Sequence, residues 1–231
     1  MDAEALLWGV PGGRRRGPRP ALSRERIVSA AIEIADAAGL DALSMERVAG
    51  RLGAATMALY RHVPGKNELV SLMLEAAIGE PPMLPEDAGW RPGLAGWSRA
   101  SRDVFLRHPW ALPLVTSPRV MGPNELGWTE AALRAVSPTG LPRGALLEVL
   151  MVVNGYVRGA AVDLTGGPRV PSLDALRRSG RLGDYPLFAS VLAQASVPET
   201  AASGADRFEF GLARVLDGIE RFVRSQGGAG G

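Results

Sequence analysis

The chain has no cysteine among its 231 residues, a single lysine and only two histidines. Without thiols there is no disulfide framework, no thiolate metal site and no cysteine nucleophile, so stability must come from a packed core. His62 and His108 lie far apart and neither sits in an HExxH spacing, so no metal or cofactor is expected. A long uninterrupted apolar run is missing too. The most apolar stretch, Leu141 to Leu164, is broken by Pro142, Arg143, Glu148, Asn154, Arg158 and Asp163, which argues against a membrane span. The opening MDAEALLWGV lacks the basic region of a secretory signal. A cytoplasmic protein with no membrane partner is the expectation.

The charge that is present is unevenly placed. Lys+Arg number 26 against 24 Asp+Glu. Residues 1–66 carry ten basic and seven acidic side chains, whereas residues 67–231 carry sixteen and seventeen. The excess lies in GRRRGPRPALSRER, where Arg14, Arg15, Arg16, Arg19, Arg24 and Arg26 face one acid, Glu25. A Gly/Pro-interrupted arginine run cannot pack a core; it suits a polyanion, or else is a solvated tail. Residues 1–22 are read as a basic, flexible arm.

Helical periodicity organises the remainder. Ser23 can cap a helix with Ile27, Ala31, Ile34 and Ala38 on one stripe, ending at Gly39. Ser44 can cap a second over Met45 to Leu52, with Val48, Ala49 and Leu52 inward and Gly53 closing it. Thr56 can cap a third that runs through His62 until Pro64 stops it, giving a helix-turn-helix pattern. A fourth is predicted over Lys66 to Ile78, burying Leu69, Leu72, Met73 and Ala76. The proline-rich GEPPMLPEDAG, residues 79–89, reads as a linker.

Behind the linker, helices are predicted at about 92–107, 110–115, 124–136, 142–165, 185–195 and 206–224, and a loop over 166–183. No stretch alternates with period two, so the fold class is all-α: an N-terminal three-helix helix-turn-helix domain (23–79) joined to a larger C-terminal helical domain (90–226). Residues 146–164 are apolar nearly all round and must be covered on every side. The last helix carries Phe208, Leu212, Val215, Ile219 and Phe222 on one stripe. Gly155, Gly159, Gly211 and Gly218 on these two helices would allow close backbone approach, in a subunit interface or in an ordinary core.

Ser23 to Val70 strongly resembles the DNA-binding domain of the TetR family of transcriptional regulators. The motifs that carry it occur in register: Ile27/Ala31, Gly39-Leu40, Ser44-Met45, Val48-Ala49, Leu52-Gly53, Leu59-Tyr60-Arg61-His62-Val63 and Lys66. Arg107-His108-Pro109 and Phe208 to Ile219 resemble the family's regulatory C-terminal domain. The resemblance implies a homodimer on a palindromic double-stranded DNA operator, most often a repressor, released by a small-molecule effector. It places the dimer contact on the helices at 142–165 and 206–224.

Recognition helices present their N-terminal residues to base edges, here Thr56, Met57 and Ala58: one hydroxyl and two apolar groups suited to thymine methyls. Arg61 is able to contact guanine bidentately. Tyr60, His62 and Lys66 match family positions that hold DNA, while Arg47 and Arg51 are placed for backbone contacts. For the effector, Trp97, Phe105, Trp110, Trp128, Asn154, Tyr156 and Arg158 could line a cavity, with Trp128, Asn154 and Arg158 preferred because polar groups on an apolar helix need partners.

No enzyme activity is expected. Gly96-Trp97-Ser98-Arg99-Ala100 has the spacing of a nucleophile elbow but no strand before it. The alternative function is a helical small-molecule-binding module without specific DNA binding.

Overall fold

Local capping sets the front of the fold. In the computed structural model, which describes residues 3–9, 22–85, 87, 89–166, 171–195 and 204–227, every regular element among the described residues is helical. Helix α2 (Arg24–Ala38) starts at Ser23, whose hydroxyl accepts the Arg26 N–H, and α3 (Met45–Leu52) starts at Ser44, whose hydroxyl accepts the Arg47 N–H. Gly53 ends α3 in the left-handed region at φ 63°. A Cβ there would meet nothing within 4 Å, so Gly53→Ala isolates the backbone strain. It is expected to cost about 1–2 kcal/mol in a denaturant melt.

The next helix departs from expectation. Ala55, in extended conformation, is the N-cap of α4 (Thr56–Leu59), no side chain caps it, and Thr56 is its first helical residue. The Ala55 carbonyl accepts the Ala58 N–H, which leaves Thr56 no capping role. Helix α4 ends at Leu59, whose carbonyl takes the N–H groups of His62 and Val63, so Tyr60, Arg61 and His62 sit on a turn. Helix α5 (Lys66–Ile78) follows where the fourth helix was expected and packs along α2. Ile27, Ala31, Val48, Leu59, Val63, Leu69 and Met73 form this core. Ala38 and Ala76, expected inside, are exposed; Ala35 and Ala77 take their places.

Residues 3–8 do not belong to an extended arm. They form α1 (Ala3–Trp8), which packs on α5, buries Leu6, and donates the Trp8 indole N–H to the Met121 carbonyl at 2.9 Å. Arg14, Arg15, Arg16 and Arg19 lie outside the described residues.

The rear domain consists of α6 (Trp90–Arg107), α7 (Ala111–Val115), α8 (Pro123–Val136), α9 (Arg143–Thr165), α10 (Leu173–Arg178), α11 (Pro186–Ala195) and α12 (Gly204–Gly227). Helix α10 falls in the expected loop: Ser172 caps it by accepting the Ala175 N–H, and Leu176 is buried. Ser98, in the elbow-like segment, is fully buried within α6 and donates to the Leu94 carbonyl, which removes it as a nucleophile. Helix α9, expected to be too interrupted for a membrane span, is by length and mean hydropathy of 1.5 apolar enough to cross one. In the fold it packs along α6, α8 and α12 through Val149, Val153, Val157 and Ala161. Its other face, with Leu147, Met151, Val152 and Val162, is exposed.

The glycines on α9 and α12 divide accordingly. A Cβ at Gly211 would fall on the Tyr156 phenol, 2.7 Å from Cε2, so this glycine serves the packing of α12 on α9. At Gly155, Gly159 and Gly218 a Cβ would meet nothing within 4 Å, and all three are exposed. On α12 the buried stripe is Phe208, Leu212, Leu216 and Ile219, with Leu216 in the place expected of Val215; Phe222 is exposed.

Candidate functional site

One exposed surface and one cavity lie at opposite ends of α5. On the surface, Leu59 and Val63 are fully buried and fix the turn between them. That anchoring turns Met57, 71% exposed, and Tyr60, 41% exposed, outward. Arg47, Arg61 and Lys66 are exposed as well, whereas Thr56, Ala58 and His62 are half-buried. The Glu25 carboxyl is held below its ordinary range by its own backbone N–H and the Ser23 hydroxyl, with smaller contributions from Arg24 and His62.

Two predicted residues differ in detail. Arg51 is engaged by Glu33 on α2 through its Nε at 2.9 Å and its Nη2 at 2.5 Å, so it is a structural tie between α2 and α3 rather than a free cation. Arg47 has its Nη1 near the Ala42 carbonyl at 3.4 Å, a long contact that leaves the guanidinium exposed. Lys66 opens α5, where Gly65 is the N-cap and no side chain caps the free N–H groups. Helix N-termini of this kind favour anions.

At the other end of α5 lies a cavity of about 70 Å³, between α6, α8 and α9. It is lined by Trp97, Phe105, Trp128, Asn154 and Arg158, all named from the sequence, which the fold brings together. Trp110 and Tyr156 are elsewhere. The Trp110 indole donates to Asp36 at 2.6 Å, and the Tyr156 hydroxyl donates to the Phe208 carbonyl at 2.7 Å. Asp36 also meets His108 Nδ1 at 2.7 Å, so a carboxylate on α2 clamps the front domain to the start of the α7 turn.

The sequence reading missed Ser101, Met121, Glu125 and Thr129, which also line the cavity. The spacing of Glu125, Trp128 and Thr129 on one helix face was a signal that could have found two of them. Glu125 forms a bidentate ion pair with Arg119, both contacts 2.5 Å. Arg158 has its Nε buried without a hydrogen-bond partner, and burial pulls its guanidinium below the ordinary arginine range, an effect that Glu125 opposes and Arg119 reinforces.

Cavity and surface are mechanically joined through α5. The Trp128 indole N–H donates to the carbonyl of Gly79, the residue that caps α5, at 3.0 Å. Asn124 donates its backbone N–H to Glu75 Oε1 at 2.6 Å and its amide to the Glu75 carbonyl at 3.0 Å. Burial pushes the Glu75 carboxyl up, against the backbone N–H groups of Asn124 and Glu125 that stabilise its charge.

A carboxyl raised in the folded state binds its proton more tightly than in the unfolded chain, so its contribution to stability is greatest at low pH. That contribution is lost as pH rises from about 4.5 through the raised value. Glu75→Gln keeps an acceptor for Asn124. It is expected to remove this component, so that thermal melts across pH 4.5–7 show a smaller decline than the parent chain.

Both halves of the chain match known families. Residues 27–73 match the family described as bacterial regulatory proteins, tetR family, and residues 81–223 match the tetracyclin repressor-like C-terminal domain. The chain is 39% identical to the HTH-type transcriptional repressor DrrR1 of Streptomyces coeruleorubidus, over 96% of this chain and 86% of that one. It is 28% identical to the class A tetracycline repressor from transposon 1721 in Escherichia coli, over 87% and 91%. Among solved structures, the TetR family protein ActR of Streptomyces coelicolor in complex with (S)-DNPA superposes with a TM-score of 0.70 at 26% identity, over 87% of this chain and 98% of that one. ActR in complex with actinorhodin gives 0.67 at 27% identity, over 86% and 95%. With both domains matched in order across most of its length, the chain belongs to the TetR family of bacterial transcriptional regulators.

Proposed function

We propose that the protein is a ligand-responsive repressor that binds a palindromic operator as a homodimer and leaves it when a small molecule enters the cavity between α6, α8 and α9. The observation that carries this reading is α5 itself. It is one unbroken helix of 13 residues, about 20 Å long, with Lys66 at the exposed surface and Gly79 held by Trp128 at the cavity. A ligand that displaces the Trp128 ring pulls on Gly79 and tilts the surface at the far end.

Met57 and Ala58 face thymine methyls, Thr56 supplies a hydroxyl and Arg61 reaches guanine. Arg47, Tyr60, His62 and Lys66 hold the backbone and fix register. Trp128, Asn154 and Arg158 bind the effector. The exposed apolar faces of α9 and α12, with their outward glycines, form the dimer contact, which sets the two recognition turns about 34 Å apart, one turn of DNA. Relatives are named as repressors, and ActR is solved with actinorhodin, which supports both halves of the reading.

Trp128→Phe tests the coupling, because it keeps an aromatic ring at this position and deletes the donor to Gly79. Operator affinity is expected to stay within about threefold of the parent, while the effector concentration needed for release, read by fluorescence anisotropy, rises at least tenfold. Unchanged release in this variant would show that the signal takes another route.

A further inference from the structure

The cavity is lined by a cation, Arg158, that has no ion pair among the described residues. Glu125 is the carboxylate in its lining, and Arg119 already meets both its oxygens. Glu75, on α5, is committed to the backbone N–H groups of Asn124 and Glu125. From α6 the lining offers Ser101, and from α8 and α9 it offers Thr129 and Asn154, none of them charged. Arg158 therefore faces a mostly apolar space with its Nε buried and unpartnered. An orphaned buried donor costs about 1–3 kcal/mol, more when charged, and an incoming acceptor recovers it. An anion recovers most, because it also supplies the missing countercharge.

The walls supply the shape. Trp97 and Trp128 meet edge to face with centroids 6.1 Å apart. Both indole N–H groups are consumed inside the protein, Trp97 by the Trp128 carbonyl and Trp128 by Gly79. Ring surface, rather than hydrogen bonding, is what the tryptophans offer a ligand. At about 10–15 Å³ per water the cavity holds roughly five to seven waters, the space of one or two fused rings.

We propose that the ligand class of this cavity is a planar aromatic acid whose anionic oxygen pairs with Arg158 while its ring lies against Trp97 and Trp128. The inference rests on the reading of the cavity as the effector site. It adds the charge and the ring system of the effector, which that reading leaves open.

The test uses the full chain and two probes of equal shape, 2-naphthoate and 2-naphthamide, titrated by tryptophan fluorescence against the parent, Arg158→Gln and Arg158→Lys. The parent is expected to prefer the naphthoate at least tenfold. Arg158→Gln is expected to bring that ratio near one while still binding the naphthamide, which shows that the cavity remains folded, and Arg158→Lys to restore part of the preference. Equal affinity in the parent, a preference that survives Arg158→Gln, or binding of neither probe would overturn the proposal.

A parallel release assay on selected duplex DNA separates the two ideas. Naphthamide bound and releasing DNA, without preference for the acid, would overturn the acidic-ligand inference and leave the effector-site reading intact. Arg158-dependent naphthoate binding that never releases DNA would uphold the ligand class and count against the effector role.

Discussion

Combining Tyr60→Ala with Lys66→Ala is expected to weaken operator binding by roughly 30-fold or more and to flatten its salt dependence. Both side chains are exposed on the face built around the α4 turn, and neither contributes to the buried core behind it. In a dimer the pair removes four contacts, each worth about 0.5–1.5 kcal/mol, which gives at least about 2 kcal/mol. The two residues separate in their salt behaviour. Each phosphate neutralised contributes about 0.9 to the slope of log affinity against log salt, so losing Lys66 from both subunits should lower it by about 1.8. Tyr60, uncharged, should lower affinity while leaving the slope nearly unchanged. Anisotropy titrations of both single variants at several salt concentrations check this.

Phe208→Ala carries the largest expected cost in stability, about 3–5 kcal/mol by comparison with buried phenylalanine truncations. The ring is 1% exposed, lies 5.6 Å from the Tyr156 ring, and has the Arg102 guanidinium 4.6 Å over its face. It seats α12 on α9, with the Phe208 carbonyl taking the Tyr156 hydroxyl alongside. Total stabilities of about 5–15 kcal/mol make such a loss about a fifth or more of the whole. Urea unfolding should report it as a lowered midpoint. Because α9 and α12 also form the proposed dimer face, sedimentation should show dissociation at protein concentrations where the parent stays dimeric.

What could be read in the sequence followed from how local each determinant is. Ser23, Ser44 and Gly53 act within a few residues of themselves, and the structure places each in the expected role. The limits of α5 were equally legible, set by Gly65 before it and Gly79 after. Thr56 was misread as a cap because the preceding alanine has no side-chain oxygen, yet the Ala55 backbone alone supplies the first bond. Helix α10 was hidden by the glycine and proline around it, although Ser172 three residues before Ala175 is an ordinary capping signal.

The sites divide in the same way. Asn154 and Arg158 stood out as polar residues on an apolar helix, and both line the cavity with Trp128. The Glu75 to Asn124 bond could not be foreseen, since it is made where helices from both domains meet. Arg51 shows the converse. It is well placed by sequence for DNA, but a glutamate 18 residues earlier claims it once α2 and α3 pack.

The most direct test of the central claim is selection from random double-stranded DNA on the purified protein, followed by measurement of the stoichiometry on the enriched duplex. Enrichment of a palindrome bound by two protomers, with thymines recurring in each half-site and affinity steep in salt, is the predicted result. Salt-dependent binding with no enriched sequence, or one protomer per site, would contradict a dimeric operator-binding repressor.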